Sequence, residues 1–196
     1  MAGTLTKLTT PLAPLLPRLE LPPDAAQLLT GASTAAEALL RLESGGFHVE
    51  AVRLTAHALP KREAVWWACM CAAAVPDPVL PPFDASALSS AEAWVRQPSD
   101  DALRRKAWDA AQATAFKTPE AWAAVAAFWS GGSMAPVGQP VVPPSEGLTA
   151  QAVGGAVMLA SVRGHPERAQ ARLGTFLGAA RDIAAGGAGR LPVEAA

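Results

Sequence analysis

Several kinds of residue are scarce in this 196-residue chain. It contains no tyrosine, no asparagine and a single isoleucine, Ile183, and charged residues make up only 17% of it. The net charge of −1 and the pI near 6.3 provide no basic surface of the kind that binds nucleic acid, so we expect no nucleic-acid partner. No stretch alternates between apolar and polar residues with a period of two, and the sequence therefore predicts no β-strands.

The two cysteines, Cys69 and Cys71, cannot support a disulfide framework. Two residues apart on one helix, their side chains point roughly 200° away from each other, so they can neither bond nor clamp one metal ion. None of the three histidines has a second ligand three or four residues away, and no Gly-rich phosphate loop is present, so we predict no metal and no cofactor. Free cysteines and a leader broken by prolines predict a cytoplasmic protein.

Neither of two long uncharged stretches is long enough to cross a bilayer. Residues 64–75 and 147–162 number 12 and 16, whereas a membrane-spanning helix needs about 20 apolar residues. We therefore expect no membrane insertion and interpret both stretches as buried core helices. Within the second, Gly154 and Gly155 are expected to mark a point where two helices approach closely.

The run of residues 60–75 is the most informative part of the chain. After its first turn this helix is apolar on every side, so other elements must surround it. Small residues make one side flat, whereas Trp66, Trp67 and Met70 make the other side bulky. Small faces against large ones are what an interdigitated core requires, and the run therefore predicts the centre of the fold.

Capping residues and prolines divide the chain into an extended Pro-rich arm (residues 1–32), a single helical domain (33–186) and a disordered tail (187–196). The fold class is all-α, in either a compact bundle or a short stack of helical hairpins. A flexible Gly/Pro loop is expected at 130–147. The leucines of the arm favour docking on its own domain, with docking on a partner as the alternative. We predict about eight helices, near 34–43, 47–59, 60–75, 84–97 (or 89–97, if Ser89 is the cap), 100–114, 119–129, 149–163 and 166–185.

One cluster of charged residues stands out. Arg53 and His57 lie one turn apart on the second predicted helix and face Lys61, Arg62 and Glu63 across the next turn. Lys61 and Arg62 occupy a helix N-terminus, where the helix dipole disfavours positive charge. No nucleophile, metal or oxyanion donor accompanies them, so we predict no catalytic residues and no enzyme. We expect a partner-binding surface, and a solvated local ion pair is the alternative.

The bulky residues allow a second interpretation. Trp66, Trp67, Met70 and Trp122 either fill the core or line a pocket for a small molecule, which would make the protein a helical sensor. A self-associating structural subunit is a third possibility, and the sequence does not determine the oligomeric state.

Residues 59–68, Leu-Pro-Lys-Arg-Glu-Ala-Val-Trp-Trp-Ala, resemble a segment of an uncharacterised family of bacterial all-helical proteins associated with type VI secretion gene clusters. The resemblance covers about residues 34–75 and continues more loosely to Trp129. It implies an adaptor or accessory factor for a secreted effector or a secretion component. Our leading prediction is therefore a non-enzymatic protein–protein interaction module.

Overall fold

The computed structural model describes residues 4–195, which form ten α-helices, one 3-10 turn and no strand. This confirms the all-α prediction. Within these residues, no helix is both long enough and apolar enough to cross a membrane. In chain order the helices are α1 (Leu16–Leu19), α2 (Pro23–Leu28), α3 (Ala35–Ser44), α4 (His48–Ala58), α5 (Lys61–Ala74), α6 (Pro82–Arg96), α7 (Asp101–Gln112), α8 (Pro119–Phe128), α9 (Leu148–Val162) and α10 (Ala169–Ala184).

The eight predicted helices correspond to α3 to α10. Three of them begin where a capping side chain accepts the backbone N–H of the following turn, at Thr34 for α3, Asp100 for α7 and Thr118 for α8. Such caps satisfy N–H groups that have no partner inside the helix. The helix starts could therefore be read from local sequence.

Helix α5 is the centre of the fold, as the sequence predicted. It contacts α6, α8, α9 and α10, and Cys69 and Cys71 are both buried in the core. Trp67 is fully buried, and its indole N–H donates a 2.8 Å hydrogen bond to the carbonyl of Phe176 on α10. That bond satisfies the one polar group of a ring that removes roughly 150–250 Å² of surface from water.

The helices close into a compact bundle. Helix α10 contacts the preceding helix α9 and also returns to contact α4 and α5, which are distant from it in the sequence. In a hairpin stack each unit would contact only its neighbours along the chain. Of the two predicted architectures, the structure therefore has the bundle.

The N-terminal arm differs from the extended segment that was expected, because it contains α1 and α2. Pro17 and Pro23 stand in the first turns of these helices, where a missing N–H costs nothing, so the prolines start helices here instead of preventing them. The arm docks on its own domain through five buried leucines, and Leu12 N–H donates to the carbonyl of Ser33 at 3.0 Å. The buried leucines are Leu8, Leu12, Leu15, Leu19 and Leu29.

The tail was expected to be disordered, and over residues 187–195 the structure shows it attached to the bundle. The Glu194 N–H donates to the carbonyl of Ala74 at 2.7 Å, and its carboxylate accepts from Arg172 Nε at 2.7 Å and from Arg168. Trp66 donates its indole N–H to the carbonyl of Ala188 at 2.8 Å. An ion-paired glutamate and an indole hydrogen bond thus attach the tail, and helical periodicity carries no signal for such contacts.

Candidate functional site

A cavity with a volume of about 520 Å³ lies between α4 and α9. We call it the α4–α9 cleft. Helix α1 and the loop between α8 and α9 border it at one end. Val49, Val52 and Met158 supply apolar wall, and its polar lining comes from Arg18, Glu20, Arg53, His57, Glu146 and Gln151. A cavity of this size, with an apolar wall and a few convergent polar groups, is typical of a binding site.

Basic groups from α1 and α4 converge in the cleft. Arg53 donates one terminal nitrogen to the carbonyls of Leu19 and Glu20, just where α1 ends. Arg18 forms an ion pair with Glu146, with Nη2 and Oε2 2.9 Å apart. Burial lowers the pKa of His57, and the positive charges of Arg18 and Arg53 lower it further, so the imidazole is neutral at pH 7.

Gly154 and Gly155 face open space on the cleft side of α9. A Cβ atom added at either position would meet no atom within 4 Å, so neither glycine is needed for helix packing. The expectation that this pair marks a close helix contact is wrong. Glycine inside a helix is destabilising relative to alanine by roughly 0.5–1 kcal/mol per residue, and here the missing side chains leave room in the cleft.

The predicted five-residue surface is divided in the structure. Arg53 and His57 line the cleft, but Lys61 donates to the carbonyl of Ser130 at 2.8 Å and Arg62 donates through Nε to the carbonyl of Val95 at 2.9 Å. These carbonyls lie at or just beyond the C-terminal ends of α8 and α6, where helix dipoles favour positive charge. The neighbouring helices therefore explain the two cations that looked misplaced on α5.

Glu63, like Lys61 and Arg62, makes contacts that hold the fold together. Its carboxylate accepts from Lys7 in the arm at 2.9 Å and from Arg62 at 3.4 Å. These contacts, with burial opposing them, lower the pKa of Glu63. Glu63 thus helps to hold the arm against α5.

The tryptophan-lined pocket, which was the second interpretation of the bulky residues, does not form at this cleft. Neither the three tryptophans nor Met70 line it. Trp67 is buried, Trp66 binds the tail, and Trp122 donates to the carbonyl of Phe116 at 3.0 Å and packs edge-on against Trp129 with ring centroids 6.3 Å apart. Each indole N–H is used by the fold, which explains why these rings are dispersed.

Sequence reasoning found two of the polar cleft residues and missed the rest. Arg18 comes from the arm and Glu146 from the loop, and neither lies on a periodic helix that would have indicated its direction. Two adjacent glycines in the middle of a helix, Gly154 and Gly155, were the one sequence feature that could have indicated the cleft, but the sequence analysis interpreted them as a helix-packing contact. Among residues 4–195, no three His, Cys, Asp or Glu side chains converge as metal ligands.

The fold and the cleft define an all-helical bundle protein with a charged groove between two of its helices. The chain belongs to a family of unknown function, DUF6931, whose model matches residues 38–184, that is 147 of its 196 residues. This confirms the expectation of an uncharacterised family. No curated protein and no solved structure matches the chain. The matched region includes Arg53, His57 and Glu146, whereas Arg18 lies before it.

Proposed function

We propose that the protein is a non-enzymatic interaction module of the cytoplasm and that its partner binds in the α4–α9 cleft. The observation that carries this proposal is the open space at Gly154 and Gly155, in a cleft that is also lined by the side chains of Arg18, Arg53 and His57. The resemblance of residues 59–68 to proteins associated with type VI secretion supports a secreted effector or a secretion component as the partner.

The other charged groups of the original prediction are less suited to this role. Lys61, Arg62 and Glu63 bind Ser130, Val95 and Lys7, so a partner would have to replace contacts that hold α5, α6, α8 and the arm together. Arg53 uses one terminal nitrogen for α1, and its other nitrogens have no hydrogen-bond partner among residues 4–195. The cleft therefore offers donors that the fold has not used.

Filling the cleft tests the proposal. Gly154→Leu adds a side chain where the structure has open space, so the protein should fold normally while the cleft is blocked. Gly174→Leu is the matched control, because Gly174 also lies within a helix, also faces open space, and does not line the cleft. Circular dichroism and the thermal midpoint establish that both variants are folded.

The readout is an affinity pull-down of each tagged variant from its native cells, followed by binding measurements with the purified partner. We expect a partner that the wild type and Gly174→Leu retain and Gly154→Leu loses. Equal retention by all three proteins would contradict the cleft as the binding site. Alanine at Lys61, Arg62 and Glu63 should lower the thermal midpoint, because those residues are part of the scaffold.

The cleft volume favours a second candidate function, that of a small-molecule sensor. About 520 Å³ falls within the range of roughly 300–1,000 Å³ that is usual for small-ligand sites. A metabolite that raises the thermal midpoint of the wild type and of Gly174→Leu, but not of Gly154→Leu, would establish this function in place of partner binding.

A further inference from the structure

Among residues 4–195, the hydrogen bonds and ion pairs that attach the loop between α8 and α9 to the rest of the fold lie at its two ends. At its start, Arg104 and Arg105 donate to the carbonyls of Ser133 and Ala135 at 2.9 Å and 3.0 Å. Residues 136–145 then make hydrogen bonds only within the loop or to its ends, among the contacts of residues 4–195. The next contact with another part of the fold is the ion pair of Glu146 with Arg18 in the cleft.

This ion pair is exposed and easily exchanged. The side chain of Glu146 is 80% exposed and that of Arg18 is 35% exposed, and Arg18 has no other side-chain partner among residues 4–195. Exposed ion pairs contribute little to stability because water solvates both charges well. A second carboxylate that reached Arg18 could therefore replace Glu146 without disturbing the core.

The charges of the cleft indicate which kind of group would replace Glu146 on Arg18. With Glu146 in place, Arg18 and Arg53 are balanced by Glu20 and Glu146 while His57 is neutral. Departure of Glu146 leaves one unbalanced positive charge beside the apolar wall formed by α4. We propose that the cleft recognises an acidic side chain of the partner, whose carboxylate takes the place of Glu146 on Arg18. This inference rests on the proposed function of the cleft.

A minimal probe tests the chemistry without knowledge of the partner. N-acetylglutamate α-amide carries one side-chain carboxylate, and N-acetylglutamine amide is its neutral counterpart. The imidazole resonances of uniformly 13C-labelled protein report binding, because His57 lines the cleft whereas His48 and His165 contact Gln170 and Glu167 elsewhere. A bound carboxylate should move only the His57 signal, because His57 is the histidine that lines the cleft.

Removing the internal carboxylate should strengthen binding of the probe. If Glu146 occupies Arg18 for about half to nine-tenths of the time, Glu146→Gln should bind N-acetylglutamate α-amide roughly two to ten times more tightly than the wild type. The double variant Arg18→Gln with Glu146→Gln should lose this binding, and the neutral probe should bind none of the proteins.

Several results would overturn the inference. The first is that the wild type and Glu146→Gln bind the glutamate probe with equal affinity. The second is that the double variant still binds this probe, and the third is that the neutral probe gives an equal response. Tighter binding of inorganic phosphate than of the glutamate probe would also overturn it, since the cleft would then be a phosphate site. The Gly154→Leu pull-down separates the two proposals. Loss of the partner without binding of the probe refutes only the recognition of a carboxylate. Binding of the probe with an unaffected partner refutes the proposed function, and with it the partner as the source of the carboxylate, while the carboxylate chemistry of the cleft stands.

Discussion

Glu120→Gln is the substitution whose effect on stability the structure defines most sharply. Glu120 is 1% exposed at the start of α8, and both of its carboxylate oxygens accept from the terminal nitrogens of Arg163, with Nη1 and Oε1 2.8 Å apart. The same Nη1 donates to the carbonyl of Val75 at 2.8 Å. One buried ion pair thus joins the start of α8 to the residues that follow α5 and α9.

The expected loss is large because the substitution leaves a cation in the interior. The side chain of Arg163 is only 12% exposed, so water cannot replace the missing carboxylate. Breaking a buried pair by removing one partner costs about 3–5 kcal/mol of the free energy of unfolding. Glutamine keeps one acceptor oxygen, so we expect the lower end of this range. At about 2–4 °C per kcal/mol for a chain of this length, the thermal midpoint should fall by about 6–12 °C.

Urea denaturation followed by circular dichroism measures this loss, and a surface pair provides the control. Glu92→Gln breaks an exposed pair with Arg96, 3.0 Å long and four residues apart on α6, and should cost about 0.3–0.5 kcal/mol. Replacing both buried partners, as in Glu120→Leu with Arg163→Met, should restore most of the stability because no unpaired charge remains. A loss below about 1 kcal/mol for Glu120→Gln would refute the reasoning about buried charge.

Three further predictions concern the core, the cleft and the tail. Burial raises the pKa of the Cys69 and Cys71 thiols, so Ellman's reagent should modify them only as fast as the protein unfolds, and rapid labelling of native protein would contradict their burial. Gly154→Ala should raise the free energy of unfolding by about 0.5–1 kcal/mol, since the added methyl group meets no atom. A lower free energy of unfolding, measured by urea denaturation, would show that the space at Gly154 is not open. Arg172 and Arg168 lower the pKa of Glu194 from 4.5 to about 2. Because the folded pKa is the lower one, its stabilisation is present above pH 4.5 and is lost as the pH falls towards 2. The difference in unfolding free energy between the wild type and Glu194→Gln should therefore shrink across that interval, and a constant difference would rule out the ion pair as its source.

Much of the fold could be predicted because its signals are local. Thr34, Asp100 and Thr118 each cap a helix that begins at the following residue, and the uniformly apolar run after Glu63 required a surrounded helix. Each of these signals involves residues within one turn of one another. The short helices α1 and α2 were missed because four and six residues are too few to show a helical period, and because proline was interpreted only as a breaker.

The candidate site was harder to predict because it depends on contacts between distant segments. Arg53 and His57 share a helix face, and their place beside each other in the cleft follows from that spacing. Nothing near Lys61 and Arg62 in the sequence shows that the ends of α8 and α6 would lie beside them. Likewise, no local pattern connects Arg18 with Glu146. Tertiary packing alone determines which charges serve the fold and which remain available.

The way this bundle uses arginine supports the assignment of the cleft. Alanine-rich helices pack closely but lack side chains that reach the carbonyl groups left unpaired at helix ends, and arginines supply those hydrogen bonds. Arg62, Arg104, Arg163 and Arg172 donate to the carbonyls of Val95, Phe128, Val75 and Ser161, each at or beside the end of a helix. Arg18 makes no such bond among residues 4–195 and pairs instead with a glutamate of an irregular loop. Because this ion pair is exposed and joins Arg18 to a loop and not to another helix, substitution of Arg18 should leave the stability of the bundle nearly unchanged. If the proposed function is correct, the same substitution should alter binding in the cleft.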